Sequence, residues 1–97
     1  MKTVTMIKVL NSSSVAGVGY LPECESLFIK FSSGVIYKYT GVPEVVYTDI
    51  MKLVVLGNIG TKSPVGKFIQ DHIKGVYQFE KVTQPSAEYE FITGKDE

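Results

Sequence analysis

The groups best suited to hold an anion are gathered in Gly57-Asn58-Ile59-Gly60-Thr61-Lys62-Ser63-Pro64-Val65-Gly66-Lys67. Glycines, hydroxyls and lysines placed just before a helix can turn backbone N–H groups and ammonium charge toward a phosphate. The stretch is not a P-loop. Five residues separate Gly60 from Gly66 where that motif has four, and Phe68 follows Lys67 where a Mg²⁺-binding hydroxyl is required. The plain alternative is a loop feeding a capped helix. On the anion reading, Lys62, Ser63, Gly66, Lys67 and Lys74 meet phosphate and Gln70 adds a polar contact.

Tyr37, Tyr39 and Tyr77 are the candidates to stack a base, as aromatic platforms do in single-strand and nucleotide binders. Their competing role is ordinary packing beneath a helix, since tyrosine suits half-buried strands. His72 is the only histidine and Cys24 the only cysteine, so no set of metal ligands exists and no cofactor is expected. The spacing of His72 beside Phe68 and Ile73 reads as a packed histidine. Cys24 lies between Glu23 and Glu25, where neighbouring carboxylates disfavour a thiolate nucleophile.

Charge narrows the partner. Ten lysines balance ten carboxylates and there is no arginine, whereas proteins that grip long nucleic acids carry a basic excess and favour arginine's bidentate contacts. A compact phosphate ligand needs only a few local cations. The segment from Lys62 to Lys81 carries four lysines against two acids, while Ala87 to Glu97 carries four acids against one lysine. With one cysteine, no intrachain disulfide can form, which favours a reducing, cytoplasmic setting. No apolar run approaches the roughly 18 residues of a membrane span, and the start lacks a signal-peptide pattern. No membrane partner is expected.

These side chains need a scaffold. At 97 residues the chain makes one domain, because halves would be too small to bury a core. The thin core also favours a homo-oligomer. Thr3 to Val9 alternates as a half-buried strand, and Asn11-Ser12-Ser13-Ser14 breaks it. Val15 to Tyr20 is a second strand whose glycines allow a bulge or close backbone approach. After the Leu21 to Glu25 turn, Leu27 to Phe31 and Val35 to Tyr39 form a hairpin across Ser32-Ser33-Gly34. Leu27, Ile29 and Phe31 share one face of it, Phe28 and Lys30 the other; Tyr37 and Tyr39 fall together.

Pro43 and Glu44 open a helix whose stripe is Val46, Tyr47, Ile50, Leu53 and Val54, ending at Gly57-Asn58. A second helix starts at Ser63-Pro64 and stops at Gly75. Val76 to Val82 alternates as a strand, Ala87 to Thr93 as another, and Gly94 to Glu97 reads as a frayed end. The fold class is α+β: a small antiparallel sheet of four to six strands packed against two helices.

Several of these residues also form a recognisable pattern. Ser14-Val15-Ala16-Gly17-Val18-Gly19-Tyr20, Leu27-x-Ile29-x-Phe31, Ser33-Gly34-x-x-Tyr37-x-Tyr39-x-Gly41-Val42-Pro43-x-x-Val46-Tyr47, Gly66-Lys67-Phe68-Ile69-Gln70-x-x-Ile73-Lys74 and Tyr77 resemble the KTSC domain family. That family takes its name from the C-terminus of some lysyl-tRNA synthetases. The resemblance covers about residues 11–82, leaving a strand at 3–9 and an extension at 83–97 as additions, and Val55 to Lys62 reads as an insertion. It implies a stand-alone small protein of a kind found in phage genomes, with a proposed link to RNA. Combined with the charge balance, the expectation is a non-enzymatic protein that sequesters a nucleotide or cyclic oligonucleotide in the bacterial host cytosol. An RNA-binding module and a protein–protein adaptor or inhibitor are the alternatives.

Overall fold

The computed structural model describes residues 1–93, so the expectation for Gly94 to Glu97 lies outside the described residues. The elements run β1 (Lys2–Lys8), β2 (Val15–Leu21), β3 (Ser26–Phe31), β4 (Ile36–Tyr39), α1 (Glu44–Ile59), α2 (Val65–His72), β5 (Phe79–Val82) and β6 (Tyr89–Thr93). Six strands form one sheet in the order β5-β4-β3-β2-β1-β6. The α+β class stands, but the sheet is mixed rather than wholly antiparallel, because β6 pairs parallel to β1, Lys2 opposite Tyr89. The two segments outside the family resemblance therefore pair with each other.

Both sheet faces are buried. The face carrying Val18, Leu27, Ile29 and Tyr39 packs under the helices through Ile50 and Val54 of α1 and Val65 and Ile69 of α2. The opposite, concave face closes on itself, with Val4, Met6, Leu21, Phe28, Ile36, Val82 and Tyr89 in a second core. Phe28 of the central strand β3 meets the rings of Tyr89 and Phe91 on the edge strand β6, centroids 5.0 and 5.6 Å away. In a flat sheet three strand spacings, about 14 Å, would separate them. The sheet is curled until its two edges approach.

Gly19 permits the tight part of that curl. A Cβ there would lie 2.8 Å from the Thr5 carbonyl oxygen and 2.7 Å from the Met6 sulfur, so β1 can cross β2 only over a residue without a side chain. The register shift between Val15 and Gly17 is the expected bulge. At the mouth of the curl, the Lys38 ammonium reaches the Tyr89 hydroxyl at 3.3 Å and Glu80 at 3.8 Å. Burial pulls that ammonium's pKa down, but the Tyr89 hydrogen bond and the Glu80 charge outweigh it, and the net direction is up.

Several strand ends move by one residue, and three boundaries depart further from the sequence expectation. Helix α1 runs through Gly57 and Asn58 to Ile59, because Gly57 serves a close contact rather than a stop. Strand β5 begins at Phe79 rather than Val76, since α2 unwinds through Gly75 at φ 79° and the Val76 and Tyr77 amides still bond to the Ile73 carbonyl. Strand β6 begins two residues later than Ala87. Truncating Phe28 to alanine should remove the wedge that holds both edges of the curl. An equilibrium urea titration is expected to show a loss of about 3–5 kcal/mol.

Candidate functional site

The first turn of α2 lies against the serine loop that joins β1 to β2. Asn11 fixes this arrangement: at φ 62° it turns the chain, and its side-chain amide donates to the carbonyls of Gly57 (2.8 Å) and Gly60 (2.9 Å) at the end of α1. Its own carbonyl accepts from the Ser63 amide at 3.0 Å. Asn58 works in the other direction, its side chain accepting from the Leu10 amide at 2.8 Å and donating to the Lys8 carbonyl at 3.3 Å. Asn11 thus satisfies carbonyls that the C-terminus of α1 leaves without partners, and Asn58 serves the backbone on either side of the end of β1. The two asparagines also lock the loop before α2 to the loop after β1.

Glycines set the spacing. A Cβ on Gly57 would sit 2.7 Å from Ser63 Cα, and one on Gly66 would sit 2.7 Å from Ser14 Oγ. Between these contacts opens a groove of about 530 Å³, lined by Asn11, Ser12, Ser13, Ser14, Lys62, Ser63, Gly66, Lys67 and Gln70. Its volume falls within the range of small-molecule sites. Hydroxyl, amide and ammonium groups are spread along this wall among its apolar atoms, so it can receive a polar or charged occupant. A smaller depression of about 250 Å³ between β5 and β6 is lined by Glu80, Lys81 and Glu88, a net negative set less suited to an anion.

Ser63, two residues before α2, accepts from the Val65 amide at 3.2 Å, and Ser12 accepts from the Val15 amide at 3.1 Å. Lys67 bonds to Asp71 one turn on, at 2.9 Å. This hydrogen bond holds the Asp71 carboxyl below its ordinary value and the Lys67 ammonium above its own. Both side chains face water, so the bond is easily exchanged for another partner. Lys62 has no ion-pair partner among the described residues.

The structure therefore brings Lys62, Ser63, Gly66, Lys67 and Gln70 together and leaves the other sequence-stated residues outside. Lys74 lies beyond the far end of α2, its ammonium 5.1 Å from the Phe31 ring centroid. Tyr39 is 2% exposed and belongs to the helix-side core, so its ring is unavailable for stacking. Tyr37 and Tyr77 are half-buried against the same core, Tyr37 edge-on to Phe31 and Phe79 at 5.6 and 5.3 Å. His72 is exposed on the last turn of α2, its ring 4.7 Å from Phe68, rather than packed inside. Asn11 to Ser14 form one wall of the groove beyond the strand break the sequence implies, and the signal for it is the asparagine heading the serine run, a residue type that tolerates the left-handed turn.

Among the described residues, no group of three or more His, Cys, Asp or Glu side chains could hold a metal ion. None of their helices is long and apolar enough to cross a membrane.

A family model described as the KTSC domain matches residues 11–58. The crystal structure of a KTSC domain protein from Yersinia pestis is similar with a TM-score of 0.65 and 26% identity, covering 82% of this chain and 99% of that one. An uncharacterized protein of Stutzerimonas stutzeri (strain A1501) is 42% identical over 48 residues, 50% of this chain and 68% of that protein. The chain belongs to the KTSC domain family. The matched stretch contains the Asn11 to Ser14 wall and the Gly57 contact, while Lys62 to Gln70 follows it.

Gly57→Ala should gain about 1 kcal/mol of helix propensity but must displace Ser63 backbone, an overpacking of about 1–3 kcal/mol. The expected net loss is measurable by urea unfolding. Gly66→Ala meets only the rotatable Ser14 hydroxyl and should leave stability nearly unchanged. The carboxyl NMR titration of Asp71 should lie below the ordinary aspartate value and return to it in Lys67→Met. Since that folded value is lowered, the ion pair is complete above the ordinary aspartate range and opens as pH falls through the folded value.

Proposed function

We propose that this protein is a non-enzymatic binder of a small phosphate-bearing ligand, a nucleotide or cyclic oligonucleotide, held between the serine loop and the first turn of α2. The observation that carries the reading is the convergence of Lys62, Ser63, Gly66, Lys67 and Gln70 on the hydroxyls of Ser12 to Ser14 around one groove. Two lysines against Asp71 give the groove a single excess positive charge, enough to select an anion within a chain of zero net charge. The polar wall favours the phosphate portion, so the base would rest at the rim rather than on Tyr37, Tyr39 or Tyr77. Sequestration of a signalling nucleotide in the cytosol, as by a phage-encoded stand-alone domain opposing host defence, is a role that needs binding without chemistry.

A second reading rests on a different surface. Lys74 over Phe31, the edge-on chain of Phe31, Tyr37 and Phe79, and Lys81 opposite Tyr37 in the sheet register together form an aromatic and basic patch. Phe79 is 58% exposed there. Such a surface stacks single-stranded RNA bases, in keeping with an RNA-binding KTSC domain.

Isothermal titration with inorganic phosphate and a panel of mono- and cyclic nucleotides tests the first reading. Lys62→Ala is expected to weaken the best ligand about tenfold or more, and Asp71→Asn, which frees Lys67, to tighten it. A panel that produces no heat and no amide shifts at Ser12 to Ser14 removes this reading. Filter retention of single-stranded RNA at low salt, lost in Phe79→Ala and unchanged in Lys62→Ala, would favour the second.

A further inference from the structure

Helix α1 is apolar on both sides. Ile50 and Val54 face the core, yet Val45, Leu56 and Ile59 on the opposite side are 64%, 58% and 78% exposed. Apolar residues gathered on an exposed helix face mark a contact surface. The outer residues Val45, Asp49, Lys52, Leu56 and Ile59 follow one another at intervals of four, three, four and three. This is the 3.5-residue stripe of a helix that packs on another helix. Asp49 and Lys52 are exposed at its middle, and neither has an ion-pair partner among the described residues.

The order of these side chains identifies the occupant. Read from the midpoint between Ile50 and Met51, Asp49 and Lys52 stand at equal distances with opposite charge, and Val45 and Leu56 stand further out at equal distances. A two-fold axis through that midpoint sets Asp49 opposite Lys52 twice and Val45 opposite Leu56 twice. We infer that α1 pairs antiparallel with α1 of a second copy of this chain, in that register.

A parallel pairing would oppose Asp49 to Asp49 and Lys52 to Lys52, which charge repulsion disfavours. The antiparallel one also sets each helix's N-terminus beside the other's C-terminus, favourable for the dipoles. An isologous contact of this kind closes as a dimer. Leu56 also shares a depression with Lys62, Ser63, Pro64 and Lys67, so the contact runs beside the proposed phosphate groove.

A 16-residue helix is about 24 Å long, and its seam is smaller than the roughly 800 Å² per partner of a standard interface. A micromolar dimer is therefore expected. Sedimentation velocity on the whole chain up to about 1 mM, about a thousandfold above such a Kd, should show a monomer–dimer equilibrium. Asp49→Lys and Lys52→Asp should each sediment as monomers, and an equimolar mixture of the two should recover the dimer. Leu56→Asp should be monomeric with an unchanged circular dichroism spectrum, which separates lost pairing from lost folding.

In a Cys24→Ser background, Val45→Cys mixed with Leu56→Cys should form a disulfide, and Val45→Cys alone should not. A wild-type monomer throughout the range overturns the inference. So does a dimer indifferent to Asp49→Lys and Leu56→Asp, or self-crosslinking of Val45→Cys.

Discussion

Phe28 is wholly buried in the hollow of the sheet, edge-on to two rings supplied by the last strand. The curl that this packing enforces decides the rest of the architecture. It converts one sheet into a structure with two interiors, so a chain of 97 residues buries apolar side chains on both sides of its central strands. It also leaves the helices only the convex face. Both therefore lie on the same side, and the start of α2 meets the loop that leaves β1.

Local structure was legible where one residue type has one physical use. The hairpin, the division of Leu27, Ile29 and Phe31 from Phe28, the bulge among the glycines of β2 and the start of α1 after Pro43 all follow from short-range sterics and alternation. The parallel partnership of β1 and β6 was not legible, because it depends on two segments at opposite ends of the chain meeting across a curl. Periodicity assigns a segment to a strand but carries no information about the direction of its neighbour. Gly57 misled for a related reason: a glycine marks a helix stop and a close approach equally well, and only Ser63, six residues on, distinguishes them.

The candidate site divides along the same line. Lys62, Ser63, Gly66, Lys67 and Gln70 lie along one groove because they are neighbours on one loop and one helical turn. The tyrosines and Lys74 were grouped by chemical type alone, and the fold spends Tyr39 on the core while placing Lys74 beyond the opposite end of α2. The serine wall escaped notice because its hydroxyls become a surface only when Asn11 ties them to a helix some 46 residues later in the chain. The charge balance, by contrast, survives folding unchanged: a neutral chain still presents a locally positive groove.

The seam made by Asn11 and Asn58 has a consequence for motion. Backbone amides on both sides, Leu10 on one and Ser63 on the other, donate into it, and each wall of the groove is anchored through the other's carbonyls. Such reciprocal anchoring makes a single cooperative unit that opens as a whole or stays shut. Opening at Leu10 and opening at Ser63 then share one free energy despite their separation in sequence. The two walls of the groove thus form a clasp, each held in place by the other.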